Sequence, residues 1–164
     1  MNKFIKELIP YITIIIVVVF IRTFIVTPVR VDGVSMEKTL NDKEILILNK
    51  LDKKYERFDI VVLNYNNEKL IKRIIGLPGE SVNYKNGKLY INNKVVKDDL
   101  SNITGDFKLI NLGYSVVPED KYFVMGDNRD HSLDSRLIGL IDKKSIQGTT
   151  SLRLYPFNKI GFVK

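Results

Sequence analysis

From Leu8 to Val26 the chain reads LIPYITIIIVVVFIRTFIV, an apolar run interrupted by a single charge, Arg22. About 19 residues at about 1.5 Å each make a helix of about 28 Å, close to the thickness of a hydrocarbon core. Ile, Val, Phe and Tyr cover every face of such a helix rather than one stripe, which argues against a helix packed in a soluble core. Arg22 lies near the far end, where its long side chain reaches headgroups, and Pro10 is expected in the first turns, where a helix tolerates proline best. A cleaved secretory signal with Lys3 and Lys6 as its basic region is the rival reading. The length of the run, and the lack of an Ala-type small-x-small site after it, favour a retained span. Lys3 and Lys6 precede the run while Arg22 and Arg30 follow it, so the positive-inside rule leaves its orientation open.

About 135 residues follow, enough for one core or two small sub-domains sharing a sheet. They contain no cysteine, which excludes disulfide scaffolds, thiolate zinc sites and a cysteine nucleophile, and fits an oxidising compartment. The net charge of +7 is spread through turns such as NDKE, LDKKYER and YKNGK rather than gathered in a block, so a nucleic-acid partner is not indicated. A basic domain beside a bilayer is instead drawn to anionic headgroups, at about 1 kcal/mol per nearby Lys or Arg.

Beyond Val26 the pattern is that of a mainly β protein. Runs at 29–34, 44–51, 58–65, 70–76, 88–96, 121–127, 137–141 and 149–155 are rich in β-branched and aromatic residues and are separated by Gly, Asn, Asp and Pro. Asn86-Gly87 suits the two positive φ values of a tight hairpin, and Pro78-Gly79 suits the centre of a type II turn. The polar stretch 97–118 reads as an irregular lobe.

Three segments carry chemistry. In GVSMEKTL, Ser35 follows a strand-like run, where its hydroxyl can sit at the lip of a sheet near free backbone N–H groups, and Gly33 permits close approach of a substrate backbone. In LIKRII, Lys72 sits amid an apolar strand, with Leu70 and Ile74 on its face and Ile71 and Arg73 on the other. Facing inward, its amine would lose proton affinity and serve as a general base; facing outward, it would snorkel or pair with a carboxylate. In GDNRDHSLDSR, the acids Asp127, Asp130 and Asp134, the arginines Arg129 and Arg136 and the hydroxyl of Ser132 suggest an Arg-carboxylate network. A calcium loop fits that segment poorly, because Arg129 interrupts the ligand spacing and the expected glycine is missing. His131 is the only histidine, so any His-dependent triad would need it.

GVSMEKTL, FDIVVLN, IKRIIGLPGE and GDNRDHSLDSR, in this order after an apolar anchor, closely resemble the type I signal peptidases, above all their compact Gram-positive forms. The resemblance implies an antiparallel β catalytic core (27–79 and 119–164) with an inserted smaller β or irregular sub-domain (80–118). Ahead of these it implies a cytoplasmic N-terminus (1–7) and one transmembrane helix (8–26), with the catalytic part outside the cell membrane. It implies Ser35 as nucleophile, Lys72 as general base, and Ser132 as the hydroxyl that positions the lysine amine. Asp134 and Arg136 match its supporting ion pair, and Asp127 and Arg129 its loop framework. Gly33 stands where some relatives carry an oxyanion serine, so the hole would rest on backbone N–H, that of Ser35 first. No metal and no cofactor are implied. The partners it implies are signal peptides of exported preproteins, cut after small residues at the first and third positions before the bond, while the anionic lipid surface is the partner that the basic charge suggests. Secretion machinery and pilin subunits are further candidates, and a non-proteolytic role in pilus or surface-structure assembly is the alternative function. The chain departs from the family pattern at Lys38, where proline is usual, at Phe58, where glycine often stands, and at His131, where asparagine is common.

Overall fold

A computed structural model describes residues 3–163. Helix α1 (Lys3–Phe24) carries the apolar run, and its stretch Glu7–Phe24, none of it buried against the rest of the protein, is long and apolar enough to cross a membrane. The helix starts earlier than the run, so Pro10 lies inside it and withholds one backbone donor rather than marking its first turns. Residues 1–2 lie outside the described part of the chain.

All the strands pair antiparallel. Strands β1 (Val26–Arg30), β2 (Ile45–Asn49), β3 (Ile60–Tyr65), β4 (Glu68–Gly76), β9 (Lys121–Met125), β10 (Ile141–Asp142) and β11 (Ile146–Tyr155) form the main sheet in the order β1-β2-β11-β3-β4-β9-β10, with β12 (Gly161–Phe162) added to β11. Strands β5 (Val82–Lys85), β6 (Lys88–Ile91), β7 (Lys94–Val96) and β8 (Phe107–Lys108) form a second sheet in the order β7-β6-β5-β8. The mainly β fold expected from the sequence is therefore present.

Local chemistry sets the turns. Asn86 and Gly87 both take positive φ between β5 and β6, and Gly79 takes φ +79° with Glu80 N–H donating to the Leu77 carbonyl, as a type II turn requires. Two further hairpins turn on Asn66-Asn67 and Asn92-Asn93, again with positive φ at each residue. The second of these splits the run 88–96 into β6 and β7. The run 137–141 is mostly not a strand. Asp134 caps a short helix, α2 (Ser135–Ile138), by accepting from Arg136 N–H, and Gly139 at φ +81° ends it, so only Ile141 and Asp142 join the sheet. A cap and a terminator override the apolar pattern there.

The core beneath the nucleophile segment gathers Val29, Val31, Met36, Leu40, Leu46 and Val62. Met36 and Leu40, both fully buried, anchor the loop on the C-terminal side of Ser35, and Val31 anchors its entry. Burying three such side chains contributes several kcal/mol, at roughly 1.5–3 kcal/mol each, and adds to the turn hydrogen bonds of the loop, from Glu37 N–H to the Val34 carbonyl and from Thr39 and Leu40 N–H to the Met36 carbonyl.

Candidate active site

Ser35 lies in that pinned loop and Lys72 on β4, which is buried from Ile71 through Gly76. The Lys72 amine donates to the Ser35 hydroxyl at 2.6 Å, and Lys72 is 2 % exposed. Burial lowers its pKa to about 8, although the charges of Asp134 and Asp127 oppose the shift. The inward orientation of Lys72 thus holds, and the amine is within proton-transfer reach of a hydroxyl.

A groove of about 700 Å³ has both residues in its lining. One wall is β1 with Val31 and Asp32, the other runs from Asn67 to Lys72, and Ser35 and Met36 complete the lining. β1 pairs only with β2, and β4 pairs with β9 only from Arg73 onward, so both walls present unpaired strand edges to the groove. A hollow of similar size, about 710 Å³, lies over the second sheet between Asn83, Tyr90 and Phe107 and contains neither Ser35 nor Lys72.

The segment 126–136 braces the pair. Asp127 takes a bidentate contact from Arg73, at 2.8 Å from Nε and 2.6 Å from Nη2, while Arg73 also donates to the Phe58 carbonyl at 2.8 Å. Asp134 receives Arg136 Nε and Nη2, each at 2.9 Å, as well as the Gly126 N–H at 3.1 Å. Arg136 Nη2 also donates to the Arg129 carbonyl at 2.6 Å. The Arg-carboxylate network is real but less local than the sequence suggests. Arg129 turns away from the loop's own acids to a buried site on the second sheet, 2.9 Å from Asp98 and within hydrogen-bond distance of Thr104 and the Tyr84 hydroxyl. Burial works against its charge there, yet Tyr84 and Asp98 outweigh it and raise its pKa.

Ser132 is buried, but its hydroxyl has no hydrogen-bond partner among the described residues. The bond to the lysine amine that the resemblance implies is therefore not formed here, and the amine is engaged by Ser35 instead. His131 is exposed, and its backbone N–H bonds to the Asn128 carbonyl. Gly33 is exposed at φ +89°, with its N–H donated to Asp42 at 2.9 Å rather than left free.

Two contributors escaped the sequence reading. A Cβ on Gly126 would stand 2.2 Å from the Ser132 hydroxyl and 2.4 Å from the Ser35 carbonyl oxygen, so only glycine lets these segments pack together. Asn128 holds the nucleophile loop from outside. Its backbone N–H donates to the Ser35 carbonyl at 3.0 Å and its Nδ2 to the Val34 carbonyl at 3.1 Å. The signal available was Asn and Gly in a segment already full of turn residues, which does not separate a clamp from a bend.

The departures at Lys38 and Phe58 have a backbone meaning. Lys38 takes φ +98°, which proline, held near φ −65°, cannot reach. Phe58 takes φ +72°, a region that favours glycine, and its side chain packs partly buried against the core under the second sheet.

The signal peptidase family, peptidase S26, matches over residues 4–155. The chain is similar to signal peptidase I of Bacillus amyloliquefaciens, at 46% identity over 89% of this chain and 85% of the relative. It is similar to signal peptidase IB of Staphylococcus aureus (strain COL), at 40% identity over 97% and 94%. Among solved structures, a signal peptidase I from Enterococcus faecalis V583 aligns with a TM-score of 0.57 and 39% identity, covering 60% of this chain and 97% of the other.

Proposed function

Because the chain belongs to the signal peptidase family, peptidase S26, we propose that it removes signal peptides from exported preproteins as a membrane-held endopeptidase, with Ser35 as nucleophile and Lys72 as general base. The observation that carries the mechanism is a buried amine 2.6 Å from a serine hydroxyl. With its pKa lowered to about 8 by burial, the amine is uncharged in a useful fraction of molecules near neutral pH.

In this reading the leader enters the groove as an extended strand and pairs with the open edges of β1 and β4, alternate side chains filling shallow pockets. Small residues at the first and third positions before the bond suit that pairing. Lys72 takes the Ser35 proton as Oγ attacks the scissile carbonyl, and the amine then protonates the leaving nitrogen. Water activated by Lys72 releases the acyl-enzyme. The developing oxyanion is assigned to the Ser35 backbone N–H. Asp134 and Arg136, and Asp127 through Arg73, hold the surroundings of the amine. The Ser132 hydroxyl, buried without a partner among the described residues, is assigned to hold the amine once Ser35 is acylated. Helix α1 serves as the single span, with its N-terminus cytoplasmic and the β part outside. The relatives compared are all peptidases, so they give no support to the assembly-factor alternative.

The test is cleavage of a precursor bearing Ala-x-Ala by the full chain in detergent, with the new N-terminus sequenced. Cleavage after the second alanine is expected, and cleavage elsewhere, or none, refutes the assignment. In the same assay kcat/KM rises with pH and levels off above about 8, because the active form is the neutral amine. A profile falling across that range would mean that Lys72 must be charged. Asn128→Ala, which removes the bonds to the Val34 carbonyl and the Glu37 carboxylate but keeps the backbone bond to Ser35, lowers kcat by about tenfold with little change in KM, the effect of about 1.4 kcal/mol of lost positioning. A loss confined to KM would place Asn128 in substrate binding instead.

A further inference from the structure

Where α1 ends, the protein forms a second polar hollow that the peptidase chemistry does not use. It measures about 470 Å³ and is lined by Thr23 and Phe24 of the last helical turn together with four lysines, Lys50, Lys53, Lys69 and Lys144. These lysines come from separate places in the sequence, just past β2, at the start of β4 and in the turn between β10 and β11, and the sheet brings them to one spot. No carboxylate lines the hollow among the described residues.

Two of the amines sit on neutral carbonyls. Lys50 donates to the Arg22 and Thr23 carbonyls at 3.1 and 3.0 Å, which offsets the negative end of the helix dipole, and Lys53 donates to the Gln147 carbonyl at 3.0 Å. Of the acids near these lysines, Asp52 accepts from the Thr149 hydroxyl and the Lys54 N–H, and Asp142 is paired with Lys121 and only senses Lys144. Like charges gathered without a counter-ion repel one another, and an anion relieves that repulsion.

The position of the hollow narrows the choice of anion. It opens at the helix end, where a span over Glu7–Phe24 would meet headgroups, and Phe24 on its rim stacks against Phe20 at 5.1 Å with both rings exposed. A ligand with a phosphate at the lysines and an acyl chain along Phe20 and Phe24 satisfies both features. We propose that this hollow binds the phosphodiester headgroup of an anionic membrane phospholipid and so fixes the height and tilt of the groove over the bilayer. The proposal rests on the reading of α1 as a span.

The experiment reconstitutes the full chain into nanodiscs of phosphatidylcholine, alone or mixed with phosphatidylglycerol, and counts retained lipid by native mass spectrometry. The parent is expected to retain phosphatidylglycerol preferentially, and Lys53→Gln combined with Lys144→Gln to lose about tenfold of that preference. Lys53→Arg with Lys144→Arg, which keeps the charges, should retain it. An unchanged preference in the glutamine variant overturns the proposal, as does loss of preference in the arginine variant. Inorganic phosphate that displaces phosphatidylglycerol from the detergent-solubilised chain at equal concentration overturns the lipid assignment in favour of a free-anion site. A chain that enters neither nanodisc overturns the span itself, and cleavage activity in detergent then shows whether the peptidase reading survives separately.

Discussion

Ser35→Ala is expected to abolish cleavage of an Ala-x-Ala precursor, with a loss of at least about 10⁴ in kcat, and Lys72→Ala to match it. The expectation follows from a unit in which neither group works alone. Without the hydroxyl there is no acyl-enzyme, and without a neutral amine at 2.6 Å the hydroxyl keeps its proton. The double variant should accordingly be no worse than either single one, since the second change removes something already useless. His131→Ala should retain most activity, because His131 is exposed and the dyad needs nothing from it. The measurement is initial cleavage rate, with thermal unfolding of each variant as a control for folding. Activity in Lys72→Ala together with inactivity in His131→Ala would replace the lysine by the histidine and remove the mechanism.

Much of the frame of this site was legible in the sequence because it depends on local chemistry. Asn86-Gly87 and Pro78-Gly79 specify their turns through φ preferences that no distant residue alters, and the β-branched runs have few other uses. What depended on packing was less visible. The run 137–141 looks like a strand until Asp134 and Gly139 are read as the two ends of a helix. Strand alternation set Lys72 opposite Arg73 but could not tell that both faces of β4 are covered, which makes both side chains buried. The acids and arginines of 126–136 signalled ion pairing without revealing the partners. Asp127 reaches Arg73 on β4, and Arg129 reaches Asp98 just past β7 of the second sheet. A pairing across sheets has no sequence spacing to betray it. The same is true of Gly126, whose missing side chain matters only because Ser35 and Ser132 close on it from two directions.

Lys72→Met should produce a protein that is inactive and more stable. Holding the amine in the interior lowers its pKa from 10.5 to about 8, and a shift of that size corresponds to about 3 kcal/mol of disfavour for the charged form. Methionine has similar length and no charge to desolvate, so it removes this cost and gives up the bond to Ser35, worth about 1 kcal/mol. The expected net gain is about 2 kcal/mol near pH 7, measured by denaturant unfolding in detergent. The pH dependence identifies its origin. The folded pKa is the depressed one, so between about 8 and 10.5 the unfolded chain binds more protons than the folded chain, and parental stability rises with pH across that window. The advantage of methionine should therefore be full below pH 8, shrink as the pH rises through 8, and disappear above 10.5. A Lys72→Met variant less stable than its parent at pH 7, or one whose difference stays constant across the window, would show that burial exerts no such pressure on the amine. The energetic basis for a neutral lysine beside Ser35 would then be gone, whatever the distance between them.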